Sequence, residues 1–298
     1  MNGAFVASKP QVSWCKALGY ASDGFVEHLQ GEATLEIGRT DMPGMAAPLP
    51  ADSMLPRYSL EAHVHACTTD DGIVLLDLRK NAYSGFDADD SRLLTSMVAF
   101  QDYAGRSLLN PFATCSPSEF SRADALADEL SALGLIRRGS QSALSRPEVP
   151  IVTAEEELLG PIHTMRHRPT VGEWFRMLHA SARTAASLRL RSLERTVEVI
   201  RACKKRQPPV GASPDLDTVR QRMWNFDGMR PLIYSHRKKC LFDSITLMHF
   251  MMHQGIFPTW IVGVQTRPFR AHAWVQLDKY VLYGVPSYIR EFVPILVI

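Results

Sequence analysis

Cys240 and His272 are the residues whose types and order carry chemistry. Cys240 opens the apolar segment "CLFDSITLMHFMMHQG", which reads as a buried helix closed by Gly255. A cysteine in a first helical turn sits at the positive end of the helix dipole, and Lys238 and Lys239 precede it. Both effects favour thiolate and predict a thiol pKa below that of a free cysteine. A thiolate nucleophile also needs a base. His272 supplies one, opening the strand "AHAWVQL" between the strands "TWIVGVQ" and "KYVLYG".

Other clusters offer less. His63, His65 and Cys67 alternate along one strand and share a face, as metal ligands can, but an ordinary strand face explains them as well. His249 and His253 are spaced as in a zinc-binding HExxH helix, yet Phe250 takes the glutamate slot, so that motif fails. His163 and His167 share the spacing in a stretch of unassigned structure, and no phosphate-binding GxxxxGK[ST] loop occurs.

The elements that must position the pair divide the 298 residues into an arm and two domains. Residues 1–56 form an arm of little periodicity, ending in "DMPGMAAPLPADSMLP", where Met54 offers an alternative start. Residues 57–150 hold a small module and its linker. "EAHVHAC", "IVLLDL" and "AYSGF" read as three antiparallel strands in meander order. A helix capped by Asp87 and a second, "SRADALADELSALGLI", follow, an arrangement resembling a winged helix. Residues 151–298 begin with helices. Between Val171 and Arg206, Leu190, Leu193, Val197 and Ile200 recur at helical spacing and predict a buried stripe with solvated arginines. Another helix is expected near Leu216–Phe226. The fold class is therefore α+β.

Composition limits the partners. Thirty-three basic against 31 acidic residues give a net charge of +2, without the concentrated basic excess of a nucleic-acid binder. Five scattered cysteines without a CxxC are no disulfide framework and suggest a reducing cytoplasm. The most apolar window, Leu247 to Val264, is broken by His249, His253, Gln254, Gly255 and Pro258, so no membrane span is expected.

A helix-start cysteine followed by strands, one bearing a histidine, is the order of papain-like and transglutaminase-like folds. Order alone leaves open a buried structural cysteine and a chance histidine. The segment from "RPLIYSHRKKCLFDS" through "FPTWIVGVQTRPFRAHAWVQL" to "PILVI" resembles the C-terminal domain of lasso peptide biosynthesis B proteins. "YSLEAHVHACTTDDGIVLLDLRKNAYSGFD" resembles the precursor-recognition module that some of them carry in fusion.

The resemblance implies a transglutaminase-like cysteine protease that removes the leader from a ribosomally made precursor peptide. Its partner would be an asparagine-synthetase-like cyclase that consumes ATP, the protease having no cofactor or metal of its own. Cys240 would be the nucleophile and His272 the base. The leader would be held as an added strand against the third strand, around Tyr83. A third catalytic residue, an aspartate twelve positions after the histidine, is replaced by Gly284. Asp278 is the nearest carboxylate in sequence. If Asp278–Lys279 is the hairpin turn, Leu277 pairs with Tyr280 and Ala273 with Gly284. His272 then lies six residues, roughly 20 Å, from Asp278. The third member is thus unassigned, and a weakened or inactive precursor-binding carrier is the alternative. Amide transfer by the same pair is a further one.

Overall fold

The computed structural model describes residues 13–16, 58–99, 103, 117–139, 152–159, 169–206, 215–234 and 240–298. Lys238, Lys239, His163, His167, Met54 and the expected boundary near residue 150 lie outside the described residues.

The strands β3 (Val64–Thr69), β4 (Gly72–Asp77) and β5 (Ala82–Phe86) form the expected antiparallel meander. The β3–β4 turn depends on Gly72, with φ of +139°, where a Cβ would stand 2.0 Å from the Phe86 carbonyl oxygen. Asp87 accepts from the Asp90 N–H and starts α1 (Ala88–Met97). Two features go beyond the expected meander. The strand β1 (Ser13–Lys16), from within the arm, pairs antiparallel with the outer edge of β5, Cys15 opposite Tyr83. In addition, β2 (Tyr58–Leu60), β6 (Val98–Ala99) and β7 (Ile136–Arg138) make a separate small sheet around α2 (Pro117–Ala132).

The meander is buried on both faces, because alternate residues enter different cores. Ile73, Leu75 and Phe86 pack with Leu93, Leu94, Leu126 and Leu130 of α1 and α2. Cys67, Val74, Leu76 and Tyr83 instead join the core of the C-terminal half. Asp71 adds a hydrogen bond from Thr266 and an ion pair with Arg267, and the Glu194 N–H donates to the Leu78 carbonyl.

The C-terminal half begins with β8 (Glu156–Glu157), α3 (Val171–Leu190), α4 (Leu193–Lys205) and α5 (Leu216–Ile233). The stripe expected through Leu190 is interrupted. Ser192 caps α4, the chain turns at Arg191, and Leu190 is left 81% exposed, whereas Leu193, Val197 and Ile200 are buried. The largely apolar α6 (Cys240–Met252) is packed on nearly every side, its Asp243, Ser244, Thr246 and His249 buried with the rest, and the chain turns after it at Gly255 with φ +75°. It lies on a sheet ordered β12-β9-β10-β11-β8. The strands are β9 (Thr259–Thr266), β10 (Phe269–Leu277), β11 (Tyr280–Tyr283) and β12 (Val293–Val297), with the short helix α7 (Pro286–Ile289) before the last. Trp260 on β9 donates its indole N–H to Ser244 on α6 at 3.0 Å, which fixes helix against sheet.

Candidate active site

Cys240 is the first residue of α6 and meets β10 beside His272. The backbone N–H groups of Ala273, Leu241 and Cys240 itself lie close enough to its sulfur to favour the thiolate. The Ala273 amide is open to it because β11 pairs with β10 only from Val275 onward. Burial nevertheless pushes the thiol pKa up, with a smaller contribution from the nearby Asp243 carboxylate, and the amides do not offset it. The expected low-pKa thiolate is thereby corrected: the helix start is present, but the sulfur is taken out of water, which favours the neutral thiol.

His272 follows the period-two rule of a strand, and this decides what it touches. Ala273 and Val275 face the α6 core, while Trp274 belongs to a smaller cluster with Ile261, Val281, Ile289 and Phe292. His272 stays with Trp274: its ring stacks on that indole at 6.1 Å and packs against Tyr288 at 5.2 Å and Phe292 at 5.4 Å. Its Nε2 is buried without a hydrogen-bond partner. Burial lowers its pKa to about 4, so the ring is neutral at physiological pH. Among the described residues no carboxylate and no hydrogen bond to Cys240 holds the ring. Three aromatic side chains do so instead.

The third position explains itself sterically. Gly284 has φ of +120°, and a Cβ there would stand 2.8 Å from Ile289 Cδ1. The hairpin turn is where the sequence puts it, with Leu277 opposite Tyr280 and Asp278 at φ +49°. The expected pairing of Ala273 with Gly284 is corrected, because a bulge between Val275 and Gln276 sets Val275 opposite Tyr283. Asp278 remains in the turn, its backbone carbonyl accepting from the Gln276 amide.

The buried carboxylate near the sulfur is one that the sequence reading did not single out. Asp243, one helical turn after Cys240, is fully buried and accepts from the Tyr283 hydroxyl at 2.6 Å. Arg230 lies 3.8 Å from it. Burial, with Asp243 as partner, drives the pKa values of Tyr234 and Tyr283 upward. An aspartate within the largely apolar "CLFDSITL", the segment's one formal charge, was the available signal, since such a charge needs partners.

Tyr83 is 1% exposed and packs edge-on against Phe269 at 5.5 Å. Its hydroxyl pKa is raised by burial first and then by Cys240 and Cys67, which places β5 within electrostatic reach of the sulfur. The remaining candidates are dispersed. His63 lies 3.7 Å from Asp77. His65 is held near pKa 3 by burial, then by Arg201 and His63. His249 is held there by burial, then by Arg183, His253 and His179. Among the described residues no group of three His, Cys, Asp or Glu side chains is arranged to hold a metal, and no helix is long and apolar enough to cross a membrane.

Neither curated proteins nor solved structures give a match to the chain. Residues 180–297, which run from within α3 to the end of β12 and include Cys240, Asp243 and His272, match the model of the Transglutaminase-like superfamily, so the α+β chain carries a transglutaminase-like C-terminal domain.

Proposed function

We propose that this chain is a leader peptidase of lasso peptide biosynthesis, using Cys240 and His272 to cut a ribosomally made precursor. The observation that carries the reading is the adjacency of β5 and the sulfur. The meander shares a core with the transglutaminase-like domain, and the nearby Cys240 helps to raise the pKa of Tyr83 on β5. A peptide added as a strand along β5 would therefore run toward the nucleophile.

The chemistry starts from neutral partners. With the thiol raised and the imidazole lowered, no thiolate–imidazolium pair stands ready at neutral pH. His272 instead takes the thiol proton as Cys240 attacks the carbonyl of the last leader residue. The tetrahedral oxyanion collapses to a thioester, His272 returns the proton to the departing amine, and water then releases the leader acid and free thiol. The Cys240 N–H at the start of α6 is a candidate oxyanion donor. For this sequence His272 must leave its contacts with Trp274, Tyr288 and Phe292 and reach the sulfur. The freed precursor end would pass to an ATP-consuming, asparagine-synthetase-like cyclase.

A second reading, a precursor-binding carrier, draws support from the missing Cys240–His272 hydrogen bond and from Gly284. Mass spectrometry of precursor incubated with the chain, its cyclase and ATP separates the two. A leader-sized fragment that vanishes in both Cys240→Ala and His272→Ala supports the peptidase. Leader binding without cleavage supports the carrier. Equal processing by Cys240→Ala refutes the peptidase assignment.

A further inference from the structure

We propose that the outward face of α3 docks one helix of a partner protein, a helix bearing acidic residues along one flank. Val171, Phe175, Leu178, Ala182 and Ala185 follow one another at steps of four, three, four and three residues, the spacing of a helix-pairing seam. The seam runs about 21 Å at 1.5 Å per residue. It points away from the core. Met177, Ala180, Ser181 and Thr184 fill the opposite, buried face, whereas Val171 is 73%, Phe175 69% and Leu178 49% exposed. Folding gains nothing from three large apolar side chains left in water, and such a contiguous stripe marks an interaction surface. Ala182 and Ala185, at its far end, leave room for a second backbone to approach closely.

Charge identifies the partner. Arg176, His179 and Arg183 line one flank of the seam, and His253 of α6 extends it, with its ring centroid 4.8 Å from that of His179. None of the four forms an ion pair with a carboxylate among the described residues. Burial and then His179, Arg183 and Arg176 push the His253 pKa down, so the two arginines carry the charge of this flank at neutral pH. An acidic flank on the incoming helix would neutralise it. A second copy of this chain fits poorly, because antiparallel pairing about a two-fold axis sets like flank against like flank.

The test uses the full chain and two labelled helical peptides of about three heptads, with leucine at the seam positions and either glutamate or lysine on the flanks. Fluorescence anisotropy should show the glutamate peptide binding, with loss of at least about tenfold in affinity in the Phe175→Glu/Leu178→Glu variant and at high salt. The lysine peptide should not bind. Reversing the flank with Arg176→Glu/Arg183→Glu should exchange the two preferences, which covers the case of a misfolded seam variant. Equal binding of both peptides, or binding unaffected by either variant, overturns the proposal. So does a dimer of the chain alone, seen by light scattering, that the seam variant dissociates. Peptide binding that emerges only after removal of residues 1–56 would assign the seam to the chain's own arm and also overturn it.

Discussion

At the scale of single residues the site is a set of competing environments around one sulfur. Three backbone amides favour the thiolate, while burial and Asp243 oppose it and win. Rate measurements of Cys240 alkylation against pH should therefore give a midpoint above the ordinary thiol value, and Asp243→Asn should move it down by removing the nearby negative charge. A midpoint well below 8, as for a helix-activated thiolate, would show the sulfur to be more solvated than the fold indicates. Gly284 makes a second case. Restoring the aspartate that the resemblance expects should not restore a triad, because Ile289 occupies the Cβ position and φ is +120°. Gly284→Asp is expected to lower stability by roughly 1–3 kcal/mol without raising kcat. A gain in kcat at unchanged Tm would mean that this backbone readily adopts another conformation.

At the scale of elements, the sheet edge to which the proposed function assigns the leader is already paired. Residues 13–16 lie antiparallel on β5 over Ala82–Gly85, so an added leader strand must displace them. A chain begun at Met54 should bind a labelled leader peptide more tightly than the full chain, by roughly tenfold or more given the high effective concentration of a tethered competitor. Anisotropy titration of the two forms checks this, and equal affinities would place the leader elsewhere. The same elements show what was legible in the sequence. Period-two alternation and turn residues located the meander, and the cysteine, Gly255 and three apolar runs located α6 and its sheet. What escaped depends on tertiary context. The arm strand has no pattern of its own, and the β10–β11 bulge has no marker residue. The exposure of Leu190 follows from a helix break that Ser192 alone announces. The face taken by His272 was open to reading, since alternation ties it to Trp274, but which face α6 covers is set by packing.

For the whole molecule, two halves joined through one core should respond to acid together. The meander contributes Cys67, Leu76 and Tyr83 to the same core as Ile245, Phe250 and Trp260, so neither half can open without exposing the other. Buried histidines sit on both sides of that junction: His65 and His249 near pKa 3 and His272 near 4, against an ordinary 6.5. Their folded pKa values are depressed, so the unfolded chain binds more protons between pH 6.5 and those values, and stability falls as pH drops through that window. Each contributes a loss of at most about 2 kcal/mol at pH 5 relative to neutral pH. Together they approach the whole stability of an ordinary domain, about 5–15 kcal/mol. Glu173, whose pKa is lowered despite the opposing effect of burial by hydrogen bonds from Thr170, Asn225 and Arg222, has the opposite sign in its own window. Its contribution is present above pH 4.5 and is lost only below it, so the histidines govern the range from 6.5 to 5. Denaturant unfolding at half-unit steps from pH 7.5 to 4.5 should show one cooperative transition whose midpoint falls steeply below pH 6.5. His249→Gln should flatten that slope by about one proton's worth, even if it lowers stability at pH 7.5. A midpoint constant from pH 7 to 5 would mean that these rings are charged and solvated in the folded chain. Two separate transitions would mean that the halves fold independently despite their common core.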